Sequence, residues 1–176
     1  MKKFILLIDG PMGSGKTTVA NLIHAKINNT AWIGLDKIKW LVSGFRRSKK
    51  QNEMTRNVVE AMAAEYAKQG VNIIVEQGFR LEHVAFFRKL AKKNHAAFHL
   101  FELAAPKEVL LHRVKERMAQ RANARAIGRP PVAMSRIMRN LKIHADKEKD
   151  PQAKLIETDG LVPEQIADKI IKAIRK

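Results

Sequence analysis

Residues 10–17 read Gly10-Pro11-Met12-Gly13-Ser14-Gly15-Lys16-Thr17, and this stretch decides the fold. It matches the pattern G-x-x-x-x-G-K-(S/T), in which a glycine-rich turn brings backbone N–H groups close to phosphate oxygens. The apolar run Phe4–Ile8 precedes it, as expected for a buried parallel strand. After it, apolar residues recur at helical spacing: Val19, Leu22, Ile23 and Ile27. Strand, loop and helix therefore follow one another directly, which is the context that the pattern requires.

The loop predicts a binding site for a nucleoside triphosphate. Lys16 is expected to reach the β- and γ-phosphates, and the Thr17 hydroxyl to ligate Mg²⁺. The helix begins at about Gly15, so its positive dipole end faces the same phosphates. The residues expected to contact the nucleotide are Gly10, Gly13, Ser14, Gly15, Lys16, Thr17 and Thr18. We therefore expect ATP as a substrate, together with Mg²⁺.

Composition limits the class of protein. The chain has 176 residues, 45% of them hydrophobic, which predicts a single packed domain over residues 1–176. It contains no cysteine, which excludes disulfides and thiolate metal sites. No apolar run approaches the roughly 18 residues of a membrane span, and the apolar start is too short for a signal peptide. We expect a soluble cytoplasmic protein with no membrane partner.

Positive charge is the other compositional feature. The net charge is +17, and it is unevenly placed: residues 37–50 hold six basic and no acidic residues, and residues 107–149 hold twelve basic and four acidic ones. Such a surface attracts nucleotides, phosphorylated metabolites or nucleic acid. A basic surface without a specific partner explains the charge equally well, so the charge alone leaves the partner open.

The hydrophobic pattern predicts alternating strands and helices. The strands are expected near residues 3–9, 31–35, 71–76, 97–103 and 154–157, and the helices near 36–43, 51–69, 81–94, 106–121 and from Pro163 onward. One face of the helix at 51–69 is expected to carry Met54, Val58, Met62 and Tyr66. This alternation predicts an α/β fold with a parallel sheet covered by helices on both faces. Ligands bind such sheets beyond the carboxyl ends of the strands.

In these features the chain resembles the small P-loop kinases of the nucleoside-monophosphate-kinase-like superfamily. That group includes shikimate kinase, gluconate kinase, chloramphenicol phosphotransferase, zeta toxins and the kinase domain of polynucleotide kinases. The resemblance rests on Gly10–Thr17 and on the order of the elements along nearly the whole chain. It implies a three-layer P-loop NTPase fold, a five-stranded sheet of order 2-3-1-4-5, and an arginine-rich lid at about residues 117–135 that closes over ATP.

Two carboxylates are candidates for the chemistry. Asp36 opens the stretch Asp36-Lys37-Ile38-Lys39, which is similar to the family's Asp-x-x-Arg signature, with Lys39 in place of the arginine. In the family this aspartate accepts the proton of the acceptor hydroxyl; a plain helix cap would also explain it. Glu76 ends the third predicted strand and is expected near Mg²⁺, or as the base in place of Asp36. The choice between the two bases stays open.

Arginines recur every four residues in the predicted lid region, at Arg113, Arg117, Arg121, Arg125 and Arg129. We expect Arg121, Arg125 and Arg129 to act in catalysis, because planar guanidinium groups stabilise the charge of a transferred phosphoryl group. The resemblance implies that Arg117 lies against adenine. For Arg113 a solvated helix face is an equally good explanation.

Together these features predict an ATP- and Mg²⁺-dependent kinase that transfers the γ-phosphoryl group to a hydroxyl of a small, anionic acceptor. The alternative is a polynucleotide 5′-hydroxyl kinase or another phosphotransferase acting on nucleic acid. Trp32, Trp40 and Phe45 lie among the basic residues of one segment, where bases could stack on them, although core packing is the commoner role of such rings. A nucleotide-dependent switch is disfavoured because the chain lacks an Asn-Lys-x-Asp type of guanine signature.

Overall fold

A computed structural model describes residues 2–123 and 133–175, with side chains up to residue 120 in the first range. In these ranges the strands are β1 (Phe4–Asp9), β2 (Thr30–Gly34), β3 (Asn72–Glu76), β4 (Ala97–Ala104) and β5 (Lys154–Glu157). The helices are α1 (Lys16–Lys26), α2 (Leu35–Lys39), α3 (Lys49–Lys68), α4 (Leu81–Lys93), α5 (Lys107–Asn123), α6 (Met134–Asp146) and α7 (Pro163–Ile174). None of these helices is long and apolar enough to cross a membrane.

The five strands form one parallel sheet in the order β2-β3-β1-β4-β5. This confirms the predicted α/β class and strand order. β1 occupies the centre, and all six of its residues are buried, because helices cover both faces of the sheet.

Successive side chains of β1 supply two separate cores. Phe4, Leu6 and Ile8 pack against α1 and α7 on one face, whereas Ile5 and Leu7 pack against α3 and α4 on the other. On α7, Ile166, Ile170 and Ile174 are buried. On α4, the buried residues are Val84, Phe87, Leu90 and Ala91.

The row of residues that α3 buries is displaced by one position from the apolar row noted in the sequence. The side chains that α3 buries are those of Thr55, Val59, Ala63 and Ala67. In the neighbouring apolar row, Met54, Val58 and Tyr66 are each about two-fifths exposed, whereas Met62 is partly buried against the core. Both rows have the same four-residue spacing, so periodicity could not choose between them. The sheet accepts the row with the smaller side chains, because Ala63 and Ala67 allow a close approach of helix and sheet.

A third apolar cluster joins α5 to α6. Leu110 and Val114 of α5 pack with Ile137 and Leu141 of α6, and Met12 of the glycine-rich loop lies against them. The sequence analysis gave no bounds for α6, which follows the segment expected to form the lid. This cluster fixes both helices beside the glycine-rich loop.

The strand register brings three acids to the same edge of the sheet. Ile8 of β1 lies beside Glu76 of β3, and Asp9 lies beside Glu102 of β4. Gly34 of β2 is the other neighbour of Glu76. The carboxyl ends of β1, β3 and β4 therefore carry acidic residues next to the glycine-rich loop.

Candidate active site

The conformation of the glycine-rich loop depends on its glycines and on the packing of α5 against it. Gly13 has φ 89°, and a Cβ at this position would lie 2.7 Å from the carbonyl oxygen of Leu110. Only glycine permits both the backbone conformation and the close approach of α5. Ser14 is fully buried, and its Oγ has no hydrogen-bond partner among the described residues. Lys16 donates from Nζ to the carbonyl oxygen of Pro11 at 2.8 Å, which holds its ammonium over the loop.

The first residues of α1 meet the end of β3. Thr17 donates from Oγ1 to Oε1 of Glu76 at 3.2 Å. Burial raises the pKa of Glu76 above its ordinary value, and the charge of Lys16 and the bond from Thr17 offset this only in part. The absence of a side chain at Gly34 makes room for the carboxylate, since a Cβ there would lie 2.9 Å from Oε1 of Glu76. Sequence reasoning did not identify this role of Gly34.

Asp36 lies in the short helix α2 and faces the same cleft. Its side chain is 64% exposed, and its Oδ1 accepts from Nζ of Lys39 at 3.1 Å. Partial burial raises the pKa of Asp36, but the nearby charges of Lys39, Arg47 and Lys16 outweigh it and hold the pKa below its ordinary value. Lys39 therefore takes the position of the signature arginine, as a single-point contact to the carboxylate rather than a fork.

Three acids at the carboxyl ends of β1, β2 and β3 lie near Lys16. Its ammonium feels the charges of Glu76, Asp9 and Asp36, each of which raises its pKa, although burial lowers the pKa by more. The charge of Arg117 on α5 lowers the pKa further. Arg117 is therefore close enough to Lys16 for their charges to interact. Gly10, Ser14, Gly15, Thr17 and Thr18 all belong to the same loop and first turn of α1.

The other arginines of the series fall in different places. Arg113 donates from both terminal nitrogens to Thr158, to Oγ1 at 2.9 Å and to the carbonyl oxygen at 2.8 Å. This contact ties α5 to the end of β5. Arg121 lies within α5, but its side chain is outside the described residues, as are Arg125 and Arg129 and most of the expected lid.

A family described as "AAA domain" matches residues 5–136 of the chain. The chain belongs to the AAA domain family. Its fold is that of the P-loop kinase superfamily, as the resemblance had implied. A search of curated proteins finds no match.

Solved structures share the fold of this AAA domain protein at low sequence identity. The APS kinase CysC of Mycobacterium tuberculosis, in complex with AMPPNP and APS, superposes with a TM-score of 0.68 at 17% identity, over 99% of both chains. The tunicamycin resistance protein of Deinococcus radiodurans gives 0.62 at 21% identity, over 98% of this chain and 96% of that one. A chain of the Pnkp1/Rnl/Hen1 RNA repair complex gives 0.65 at 21% identity, over 86% of this chain and 49% of that one. At these identities the likeness concerns the fold alone.

The AAA domain protein also anchors its loop through a buried ion pair that the sequence analysis missed. Asp9 accepts from the N–H of Gly10 at 2.6 Å and from Nζ of Lys147 at 2.5 Å. Lys147 also donates to the carbonyl oxygen of Phe79 at 3.3 Å. The sequence offered one signal for this pair: Asp9 is an acid that stands between an apolar strand and the first glycine of the loop. Its partner lies far along the chain, and no spacing rule points to it.

A second acid at this edge is also paired. Glu102 accepts at Oε1 from Lys149 at 2.7 Å and lies 3.1 Å from Nε2 of His144. Burial raises the pKa of Glu102, but these two partners outweigh it and lower the pKa. Burial and the charge of Lys147 lower the pKa of His144, and the charges of Asp9 and Glu102 offset this only in part.

The α6 helix lies against the glycine-rich loop. Asn140 accepts at Oδ1 from the N–H of Met12 at 2.9 Å, so this face of α6 meets the glycine-rich loop. Arg136 lies one turn earlier on the same face, and the charge of Asp36 acts on it. Sequence reasoning missed Arg136 because it falls outside the four-residue series.

The donors at this site suit Mg²⁺. The Thr17 hydroxyl and the Glu76 carboxylate lie in contact, and both are hard oxygen ligands. Within residues 2–123 and 133–175, no group of three His, Cys, Asp or Glu residues could hold a metal by itself. That fits Mg²⁺, which usually keeps several waters and binds one or two protein oxygens together with substrate phosphates.

Proposed function

We propose that the protein is an ATP-dependent phosphotransferase that moves the γ-phosphoryl group to a hydroxyl of a small acceptor. One observation carries the proposal: the exposed carboxylate of Asp36 lies close enough to Lys16 for their charges to interact. The charge of Lys16 is close enough to lower the pKa of Asp36, although the two residues belong to different elements. A group that would hold the γ-phosphate therefore faces a group that can take a proton.

Thr17 and Glu76 would hold Mg²⁺ on the phosphate side. When bound, the ion would supply positive charge to the β- and γ-phosphates and help to orient them. The backbone N–H groups of the loop and Lys16 would bind the same oxygens. Glu76 is engaged by Thr17 and buried, which supports a role at the metal rather than as the base.

Asp36 is our choice for the base. It is exposed to the cleft and remains ionised at neutral pH, because Lys39, Arg47 and Lys16 lower its pKa. In the reaction the acceptor oxygen bonds to the γ-phosphorus while the bond from that phosphorus to the β,γ-bridging oxygen breaks. The hydroxyl proton passes to Asp36, and ADP leaves with the electron pair of the broken bond.

The arginines would contribute in two places. The electrostatic influence of Arg117 on Lys16 supports a place at the phosphates rather than against adenine. Arg113 contacts Thr158, which directly precedes Asp159 and Gly160, two residues whose backbone would border adenine. Arg121, Arg125 and Arg129 stay proposed lid residues that stabilise the transferred phosphoryl group.

The test combines ATP binding with phosphoryl transfer. Labelled ATP and Mg²⁺ are offered with pools of nucleosides, nucleoside monophosphates and neutral or anionic metabolites. We expect label in one pool. Lys16→Ala should abolish transfer, whereas Asp36→Asn should lose at least about a hundredfold in turnover and keep ATP binding, in line with removal of a general base. Near-normal turnover of Asp36→Asn would show that another group is the base.

A polynucleotide 5′-hydroxyl kinase is the second candidate. It is supported by the net charge of +17 and by the pairing of Arg47 with Trp40, in which the guanidinium carbon of Arg47 lies 5.1 Å from the centroid of the Trp40 ring. Bases and phosphates could bind to such a surface. A 5′-hydroxyl oligonucleotide in the same transfer assay decides between the two: label at its 5′ end, with binding that weakens steeply with salt, would favour this candidate.

A further inference from the structure

The sheet has an open edge at β2. Among the strands that the structure describes, β2 pairs with β3 alone. The carbonyl oxygen of Asn29 accepts from the N–H of Asn72 at 2.9 Å, so the peptide groups of every second residue from Asn29 onward face β3. Those of Thr30 and Trp32 face away from β3. They form a row of donors and acceptors on the open side of the strand.

A groove of about 480 Å³ lies along this edge. On one face of β2 it is lined by Trp32 and by His24 of α1, whose ring centroids are 6.1 Å apart. On the other face it is lined by Met62 and Tyr66 of α3. The indole N–H of Trp32 is buried and has no hydrogen-bond partner among the described residues. Apolar and aromatic side chains therefore stand on both sides of the outward peptide groups.

The two edge strands of the sheet differ in how they are protected from pairing. The sequence of β2, Thr30–Gly34, contains no charged residue and no proline. The other edge strand, β5, begins with Lys154 and ends with Glu157. Charged residues and prolines are the usual means by which an edge strand avoids pairing with another chain. The edge at β2 is therefore the one that can accept a further strand.

The charge around the groove favours an acidic occupant. None of the residues that line the groove is acidic. Nζ of Lys37 lies 3.2 Å from the ring centroid of Trp32, beyond the carboxyl end of β2. At the other end, a Cβ at Gly70 would lie 2.7 Å from Nζ of Lys3. The one acid next to a lining residue in sequence, Glu65, already accepts from two side chains at the end of α3.

A second copy of the chain is disfavoured as the occupant. A two-fold axis would pair β2 with β2 in antiparallel orientation, so the Lys3 end of one groove would meet the Lys37 end of the other. Both ends are positive, and each chain carries a net charge of +17. Like charges at facing positions destabilise strand pairing. An acidic segment meets no such repulsion.

We propose that this groove binds an extended, acidic segment of a partner protein, which adds to the sheet as a strand beside β2. Its peptide groups pair with those of Thr30 and Trp32, and its carboxylates lie near Lys3 and Lys37. Its side chains alternate between the two faces of the sheet, where the aromatic wall and the α3 wall receive apolar residues. Single-stranded nucleic acid is also anionic, but its backbone has no N–H donors to match a strand edge. The inference goes beyond the proposed function and does not depend on it.

The probe is a blocked heptapeptide in which valine alternates with threonine between two terminal glutamates. The chain has two tryptophans, so the Trp40→Phe background leaves Trp32 as the only tryptophan reporter. We expect a saturable change in its fluorescence as the peptide is added. In NMR titrations of the unsubstituted protein, the amide signals of Thr30 and Trp32 should shift, and those of β5 should not.

N-methylated peptides separate strand pairing from contact through side chains alone. In an added strand, one set of alternate peptide nitrogens faces β2 and the other set faces solvent. Methylation of one set should therefore weaken binding at least tenfold, and methylation of the other set less than twofold. A peptide with lysine in place of both glutamates should also bind at least tenfold more weakly, because its charge repels the lysines at the two ends of the groove.

Substitutions on α3 place the binding in the groove. Tyr66→Glu puts an acid on the wall of the groove and should weaken binding of the acidic peptide at least tenfold. Met54→Glu is the matched control, because Met54 lies earlier in the same row of α3, outside the groove, and is as exposed as Tyr66. It should change binding less than twofold. Both variants should keep the far-UV circular dichroism spectrum of the parent, since both side chains are on the surface.

Four outcomes would overturn the proposal. Absence of binding at millimolar peptide would remove the docking site. Equal binding of both N-methylated forms would show contact without strand pairing. A dimer in sedimentation that Tyr66→Glu dissociates and Met54→Glu does not would assign the groove to a second copy. Displacement of the peptide by an equal concentration of oligothymidylate would assign it to single-stranded nucleic acid.

Discussion

Replacement of Lys147 by methionine tests how the end of α6 holds the glycine-rich loop. Lys147 follows α6 directly and bonds Asp9, whose second carboxylate oxygen holds the N–H of Gly10. Both side chains are largely buried, at 16% and 10% exposure. Methionine keeps the length of the side chain and removes its charge. The carboxylate of Asp9 is then left in a poorly solvated position without its cation.

The expected cost is large for one substitution. Breaking a buried ion pair by removing one partner costs about 3–5 kcal/mol, because the remaining charge is neither solvated nor paired. We expect the low end, about 3 kcal/mol, because Asp9 keeps its bond from Gly10. For a chain of this size, that predicts a fall in melting temperature of roughly 6–12 °C. ATP binding should weaken as well, because Asp9 positions the first N–H of the loop.

The measurement is a pair of urea and thermal unfolding series on the purified protein. Lys68→Met is the matched control, since Lys68 bonds Glu65 at 3.0 Å with both side chains about three-fifths exposed. Exposed pairs of this kind contribute little, so the control should melt with the parent. The double variant Asp9→Asn/Lys147→Met removes both charges and keeps an oxygen for Gly10. It should recover at least half of the lost stability.

The reasoning fails if Lys147→Met melts with Lys68→Met, because the pair would then contribute no more than an exposed one. It also fails if the double variant is as unstable as Lys147→Met. In that case the loss would come from packing of the lysine stem rather than from the unpaired carboxylate.

Three further changes test individual groups of the site. Burial raises the pKa of Glu76, so the protonated form stabilises the fold below the ordinary pKa, and this contribution is lost as pH rises through the raised value. Glu76→Gln should therefore raise the melting temperature at pH 7 but not at pH 4. The same change should weaken Mg²⁺-dependent ATP binding. Lys39→Met should move the pKa of Asp36 upward, measured by carboxyl NMR titration, because Lys39 is the strongest charge lowering it. An unmoved Asp36 titration would contradict that assignment. Arg113→Met should lower the free energy of unfolding in urea by roughly 2 kcal/mol, because it removes two hydrogen bonds to Thr158. Arg113→Lys should recover less than half of that loss, because lysine lacks the planar guanidinium fork. Full recovery in Arg113→Lys would contradict the two-bond contact.

The glycine-rich loop, Asp36 and Glu76 could be predicted from the sequence because their signals are local. The pattern of residues 10–17 requires a strand before it and a helix after it, and the structure has both in place. Asp36 and Glu76 follow apolar strands, and parallel strands bring their carboxyl ends to one edge. The structure places both near Lys16, as that rule predicts. Their catalytic roles stay predictions.

The buried face of α3 shows what hydrophobic periodicity alone does not predict. Two rows of residues with equal spacing, one of large and one of small side chains, were both compatible with a helix. The row that packs inward was decided by the space left by the sheet and α4. Hydrophobicity favoured the larger side chains, and close packing selected the smaller ones.

The sequence by itself determined the glycine-rich loop between β1 and α1, the alternation of strands and helices, and the acids that end the strands. Each depends on residues that are neighbours along the chain, where spacing and chain direction fix the geometry. Only the tertiary structure decided which partner each charge takes. Asp9 pairs with Lys147, Glu102 with Lys149 and His144, and Arg47 with Trp40. These distances follow from how helices pack on the sheet, and in a chain with 34 basic residues no local pattern singles out the cation that will be buried.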